Sequence, residues 1–161
     1  MIVEALAPGD QQRAVEIARL GGQTLDVNAE LARGYARLSV ARLEPGSPAL
    51  AVLLLWAVAD ERHVIDVATH PDFRRRGAAR ALLADAIARA QSDRARLVLL
   101  EVRRSNRPAI ALYRSLGFAA VNLRRGYYSD TSEDAIEMML QIDTANGAIL
   151  ETRDEITIEE T

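Results

Sequence analysis

The spacing of apolar and polar residues predicts short strands and amphipathic helices in alternation. Ile2-Val3-Glu4-Ala5-Leu6 reads as a strand ended by Pro8-Gly9, and Asp10 is placed to cap a helix running to Leu20. Val15, Ile17, Ala18 and Leu20 are the apolar positions of that helix, and Gly21-Gly22 stops it. Residues 23–34 fit either a loop or a second short helix starting near Asn28. Tyr35 to Leu43 predicts a strand, closed by the turn Glu44-Pro45-Gly46-Ser47-Pro48. Ala49 to Ala59 is apolar throughout, the pattern of a strand buried on both faces. Val64 to Ala68 is a further strand, closed by His70-Pro71.

The period then changes. From Gly77 to Gln91, Ala78, Leu82, Leu83, Ala86, Ile87 and Ala90 share one helical face. Arg96 to Val102 is a strand around Leu97-Val98-Leu99-Leu100. Ser105 or Asn106 caps a helix with Pro108 in its first turn and Gly117 at its end, burying Ile110, Leu112, Tyr113 and Leu116. Phe118 to Leu123 and Ala135 to Ile142 are two last strands around a polar loop. This order predicts an α/β (α+β) fold, a mixed central sheet of about six to seven strands flanked by helices on both faces. One domain is expected over residues 1–142. The acidic tail, 143–161, is expected either to be disordered or to add an edge strand through Glu155-Ile156-Thr157-Ile158-Glu159.

Composition narrows the chemistry. There is no cysteine and there are only two histidines, His63 and His70, so disulfides, cysteine nucleophiles and a metal site are not expected. The apolar run Ala49 to Ala59 is too short to span a bilayer, and Met1 to Asp10 lacks the pattern of a secretory signal. A cytoplasmic protein with no membrane partner is the expectation. All 20 basic residues are arginine, so no lysine can be acylated or form a Schiff base. The net charge is −3, yet residues 72–125 carry 13 arginines against 4 acids, a local +9. That block implies a polyanion partner, either nucleic acid or a phosphorylated small molecule.

The strongest local signal is Val67-Ala68-Thr69-His70-Pro71-Asp72-Phe73-Arg74-Arg75-Arg76-Gly77-Ala78-Ala79-Arg80, where a strand turns through three arginines and a glycine into a long helix. A helix start offers free N–H groups and partial positive charge to an anion. Gly77 would let backbone approach a phosphate closely, with Ala78 and Ala79 keeping bulk away. The segment Arg74 to Ala79 resembles the Gln/Arg-x-x-Gly-x-Gly/Ala acyl-CoA signature of the GCN5-related N-acetyltransferases, the GNAT superfamily. Leu100-Glu101-Val102-Arg103-Arg104-Ser105-Asn106-Arg107-Pro108-Ala109-Ile110-Ala111-Leu112-Tyr113-Arg114-Ser115-Leu116-Gly117-Phe118 resembles the ribosomal-protein-alanine N-acetyltransferase (RimI-like) branch. So do Arg125-Gly126-Tyr127-Tyr128 and Glu133 to Leu140.

The resemblance implies a single GNAT fold and acetyl transfer from acetyl-CoA, as co-substrate and without a metal, to a primary amine, foremost a protein N-terminus. An amine attacks a thioester only when neutral, so a base must take its proton. The resemblance gives that role to Glu101 and makes Tyr113 the acid for the departing thiolate. It implies that backbone groups of Val67, Ala68 and Thr69, on a strand splayed from its neighbour, pair with the pantetheine arm. Arg75, Arg76, Gly77, Ala78, Ala79 and Arg80 clasp the pyrophosphate, and Asn106 joins a helix cap to a cofactor contact. His63 and His70 read as solvent-facing and Trp56 as core. Tyr127 and Tyr128 read as a strand end or as a lid over a peptide. The resemblance thins at Gly21 to Val27, which lacks the branch's aromatic segment, and at Gly126, where the branch tends to have Asn. A small-molecule amine acetyltransferase is the alternative, and a non-catalytic acyl-CoA- or nucleic-acid-binding domain a distant one.

Overall fold

The computed structural model describes residues 1–158 and divides into two compact units, Met1–Val58 with Val64–Arg89 and Ala59–His63 with Ala90 onward. Its strands make the mixed sheet of an α/β fold, with eight strands among the described residues.

The first unit is built on β1 (Ile2–Ala5), β2 (Ala36–Arg42), β3 (Ala51–Val58) and the greater part of β4 (Glu61–Thr69), neighbours in that order. The hairpin register sets Val40 against Val52, Leu38 against Leu54 and Ala36 against Trp56. Because strand side chains alternate, these residues share a face. Helices α1 (Gln11–Leu20) and α2 (Val27–Ala32) cover it, with Ala14, Ile17, Ala18, Leu25 and Val27 packed on Leu38, Val40, Val52, Leu54 and Ala68. Ala51, Leu53 and Leu55 are buried too, so β3 is apolar on both sides, as its unbroken run requires. The ambiguous 23–34 stretch resolves as α2, capped by the Asp26 side chain accepting from Ala29 N–H at 3.0 Å. Arg42, almost fully buried, staples the start of the chain: it donates to Glu4 at 2.9 Å and Asp10 at 2.8 Å. Burial alone would push Asp10 up; hydrogen bonds from Arg42 and the Ala7 N–H, with the Arg42 charge, hold it below the ordinary carboxylate range. Trp56 is only half core: its indole donates to Glu30 at 2.9 Å and Tyr35 meets it edge-on. The long α3 (Ala78–Ser92) follows β4, burying Ala78, Leu82, Leu83, Ala86 and Ile87 as predicted.

The second unit holds β5 (Leu97–Arg103), α4 (Arg107–Ser115), β6 (Ala119–Tyr128), β7 (Glu133–Ile142) and the short β8 (Ile149–Leu150). Strand β7 is central, antiparallel to β5 on one side and β6 on the other. Two expectations are corrected here. The polar stretch after Leu123 is not loop: β6 runs on to Tyr128, because an edge strand keeps its ladder without apolar side chains. The added edge strand is β8, on Gln141 and Ile142, and not the 155–159 segment, whose described residues 155–158 form no strand. Glu159 lies outside the described residues.

Candidate active site

In the first unit the sequence-predicted cofactor residues, all but Asn106, cluster where β4 leads into α3. Val67 and Thr69 are half-buried and Ala68 is in the core, so the backbone of this strand end is fixed from one side. His70 then starts a single 3₁₀ turn, its Nδ1 accepting from Asp72 N–H at 3.2 Å. Its side chain is 13% exposed and packs edge-on against Phe73, so it is not solvent-facing as expected. Arg75 and Gly77 both have positive φ, +63° and +85°. Only glycine adopts that conformation without cost, so Arg75 stores backbone strain immediately before the helix. The first bond of the α3 ladder runs from Ala81 N–H to the Gly77 carbonyl at 2.9 Å. The N–H groups of Ala78, Ala79 and Arg80 precede the ladder and point toward its open end. A Cβ added to Gly77 would meet nothing within 4 Å, so the backbone is open to a ligand there. Arg74, Arg75, Arg76 and Arg80 are exposed around it, and Arg76 lies over the Phe73 ring. These features suit a diphosphate.

In the second unit Glu101 and Tyr113 stand on adjacent elements. Glu101 is the fifth residue of β5, with a side chain 25% exposed among buried neighbours Leu100 and Val102. It lies directly opposite Glu137 of β7, and Arg124 of β6 reaches both: 3.5 Å to Glu101 and 3.2 Å to Glu137. The Tyr127 hydroxyl donates to Glu101; that bond, then burial and the Glu101 charge, raise the phenol above its ordinary pKa. Tyr127 therefore stays a donor at neutral pH. Tyr128, raised first by burial and then by the Glu101 charge, meets Tyr127 edge-on with ring centres 5.1 Å apart. Arg103 covers Tyr128 at 4.0 Å and is paired with Asp130 at 3.0 Å. This tyrosine pair exists because β6 carries extra residues between Arg124 and Tyr128, a bulge centred on Gly126 at φ +61°. Glycine and asparagine both tolerate that conformation, so the departure at Gly126 is conservative.

Tyr113 is 7% exposed and shares the buried face of α4 with Ile110, edge-on to Phe118. Leu112 and Leu116 are only half-buried. Asn106 caps α4, its Oδ1 accepting from Ala109 N–H at 3.3 Å. His63 is half-buried within β4 and bonded to Glu61 at 2.9 Å, not at a strand start facing solvent. Arg124 and Glu137 went unassigned in the sequence because their link to Glu101 depends on the register of three strands. The signal for Glu137 was its isolation among apolar residues of β7. Asp66 left a similar trace, an acid inside Val64-Ile65-Asp66-Val67-Ala68.

Residues 29–118, more than half of the chain, match the acetyltransferase (GNAT) family. The chain belongs to that family. Within it, the [ribosomal protein bS18]-alanine N-acetyltransferase of Escherichia coli K12 is 44% identical over 94 residues, 57% of this chain and 64% of the relative. An N-alpha-acetyltransferase of Saccharolobus solfataricus is 44% identical over 77 residues, 47% of this chain and 46% of that protein. The chain thus matches less than two thirds of the length of these curated relatives. The crystal structure of the ribosomal-protein-S18-alanine N-acetyltransferase from Escherichia coli superposes with a TM-score of 0.77 and 31% identity, over 87% of this chain and 92% of that one. The GNAT family and the α/β sheet fold expected from the sequence are both established by these matches.

Proposed function

We propose that the protein is an acetyl-CoA-dependent N-acetyltransferase acting on a primary amine, foremost the N-terminal α-amine of a protein. The reaction forms an N–C bond at the amine and breaks the thioester C–S bond. One proton leaves the amine and one reaches the coenzyme A sulfur. The observation that carries the reading is the setting of Glu101, a half-buried carboxylate held by Tyr127 and Arg124 beside Glu137. In this reading Glu101 takes the amine proton, directly or through water. Arg124 is shared between Glu101 and Glu137, so Glu101 can release it without stranding its charge. Tyr113 gives its proton to the thiolate, and Asn106 adds a polar contact to the cap it already makes. The first unit supplies binding: backbone groups of Val67, Ala68 and Thr69 take the pantetheine arm and orient the thioester carbonyl. The 75–80 segment takes the pyrophosphate on its backbone N–H groups. The relatives named for alanine N-acetylation support a protein N-terminus as acceptor. The N-acetyltransferase domain is proposed to span residues 1–142, and the tail after it adds β8 to the same sheet.

Transfer from acetyl-CoA to a short peptide with an alanine N-terminus tests this, with spermidine as a small-amine control. Glu101→Gln should keep acetyl-CoA affinity and lower turnover about 10²-fold or more, the size of a general-base contribution. That loss should shrink at high pH, where the amine deprotonates unaided. Tyr113→Phe should cost less, about 10- to 100-fold, with folding unchanged. Wild-type turnover in both variants would remove these assignments, and turnover of spermidine alone would move the acceptor to small amines.

A further inference from the structure

Among the described residues two buried side-chain atoms take no hydrogen bond, Arg62 Nε and Asp66 Oδ1. They are not alike. The Arg62 guanidinium is otherwise well bonded, to the Ala59 and Glu61 carbonyls and to Asp93. Asp66 has no cation paired with it among the described residues, and a carboxylate oxygen withdrawn from water without a donor is costly. A donor brought by a ligand would remove that cost.

The place of Asp66 says which ligand. Alternation along β4 puts Asp66 on the same side as Val64 and Ala68, and Ala68 packs into the core that α1 closes. Asp66 therefore faces the side covered by α1 and the connection after it. Gln23, on that connection, reaches the Asp66 carboxylate with its side chain. This is the stretch, Gly21 to Val27, that carries no aromatic residue. Asp66 also immediately precedes Val67, Ala68 and Thr69, so its Cα is within about 10 Å of each along the strand. An amine substrate arrives largely protonated at neutral pH, since an α-amine titrates near about 8. It brings N–H donors and a positive charge, which a partly desolvated carboxylate binds more strongly than it would in water.

Building on the acetyl-transfer reading, we propose that Asp66 is the acceptor-recognition carboxylate of this protein, its unpaired oxygen taking an N–H from the incoming ammonium while Gln23 holds the other side of the carboxylate. The acceptor pocket is then polar on its α1 side and selects for a free amine by charge as well as by reactivity. Burial raises Asp66 to about 6, against the pull of hydrogen bonds from Gln23 and the Val67 backbone, so the group is mostly ionised at neutral pH.

Asp66→Asn keeps the shape and removes the charge. The expected result is a rise of tenfold or more in KM for the alanine-initiated peptide, with the Kd of acetyl-CoA within twofold of wild type. Gln23→Ala should shift the same KM in the same direction by a smaller factor. Calorimetry on coenzyme A-saturated protein adds a readout independent of turnover. Wild type should bind the free peptide at least tenfold more tightly than its N-acetylated form, and Asp66→Asn should lose most of that preference. A peptide KM within twofold of wild type in Asp66→Asn, or an equal loss of acetyl-CoA affinity, overturns the assignment. If wild type transfers acetyl to no amine, the reading under Proposed function fails instead. The Asp66 assignment then stands if the calorimetric preference for the free amine is present and depends on Asp66, and falls if it is not.

Discussion

A single carboxylate shows how this protein trades stability for a binding group. Asp66 is raised from 3.8 to about 6 by burial in the folded chain. A folded pKa above the unfolded one means that the folded state holds the proton more tightly. The stability this contributes is full below the unfolded value near 3.8 and is lost as pH rises through about 6. At pH 7.5 the ionised carboxylate therefore burdens the fold, by up to about 3 kcal/mol if two pKa units are counted at 1.36 kcal/mol each. Asp66→Asn should then raise the thermal midpoint at pH 7.5 by several degrees and change it little at pH 3.5. Equal shifts at both pH values in thermal melts would show that packing, not charge, decides the difference. A group that costs the fold at working pH and keeps one oxygen without a donor is a feature of a site. Arg42, by contrast, is buried with all its heads bonded, to Glu4, Asp10 and the Ser47 carbonyl, and belongs to the scaffold.

Among the elements, the chain after β7 is tied down more firmly than its acidic composition implied. Strand β5 already occupies one edge of β7 at Gln141, so β8 takes the other edge, the one that β6 takes farther along. The turn between β7 and β8 hangs on Gly147, whose carbonyl accepts from the Gln91 side chain at 2.9 Å. Its φ is +77°, and a Cβ there would meet the Arg94 guanidinium and come within 2.8 Å of the Gln91 carbonyl. Beyond β8, Asp154 accepts from Arg114 on α4 and from Ala120 N–H at 2.9 Å. Gly147→Ala should therefore destabilise by about 1–3 kcal/mol, through strain at positive φ and a backbone clash, and should loosen the strand behind it. Hydrogen exchange at Asp143, whose N–H donates to the Ala148 carbonyl at 2.8 Å, and at Leu150 is the measurement; unchanged protection there would mean that β8 does not depend on the turn. Much of the element order was legible in the sequence, and the misses share a cause. β3 was readable because burial on both faces demands an unbroken apolar run, and α4 because Pro108 and Gly117 mark its ends. The far half of β6 was not, since an exposed edge strand needs no apolar residue and the Gly126 bulge breaks the alternation. A two-residue strand such as β8 has no period to read. The same holds in the candidate site: Glu101 showed as a lone acid in an apolar strand, whereas Arg124 gains meaning only from the register that brings it beside Glu101 and Glu137.

At the scale of the whole chain, at least six of the thirteen arginines of residues 72–125 pair with acids, most of which lie outside that block in the sequence. Arg89 pairs with Asp85, Arg96 with Asp60 and Glu61, Arg103 with Asp130 and Glu133, Arg104 with Asp134, Arg114 with Asp154, and Arg124 with Glu101 and Glu137. Arg74, Arg75 and Arg76 have no acidic partner among the described residues, and all three are exposed. The +9 that sequence alone offered to a polyanion therefore leaves a cluster of three unmatched arginines at one short loop ahead of α3, the size of a diphosphate and not of a nucleic-acid track. Electrostatics of such a loop is screened as the Debye length falls from about 10 Å at 0.1 M salt to about 3 Å at 1 M. Acetyl-CoA affinity measured by calorimetry should accordingly weaken by about tenfold or more over that range. Replacing Arg74, Arg75 and Arg76 together with alanine should lower the affinity at 0.1 M and flatten the salt dependence. Replacing Arg96 and Arg114, whose charges are already matched, should do neither. Gly77→Asp places a carboxylate in the open space before the helix and should abolish most binding at either salt concentration, because backbone N–H groups and a neighbouring negative charge cannot both face a diphosphate. If single-stranded RNA instead displaces acetyl-CoA at 0.1 M salt, or if the triple alanine variant keeps the wild-type salt slope, the loop is not the diphosphate cradle and the positive charge serves another partner.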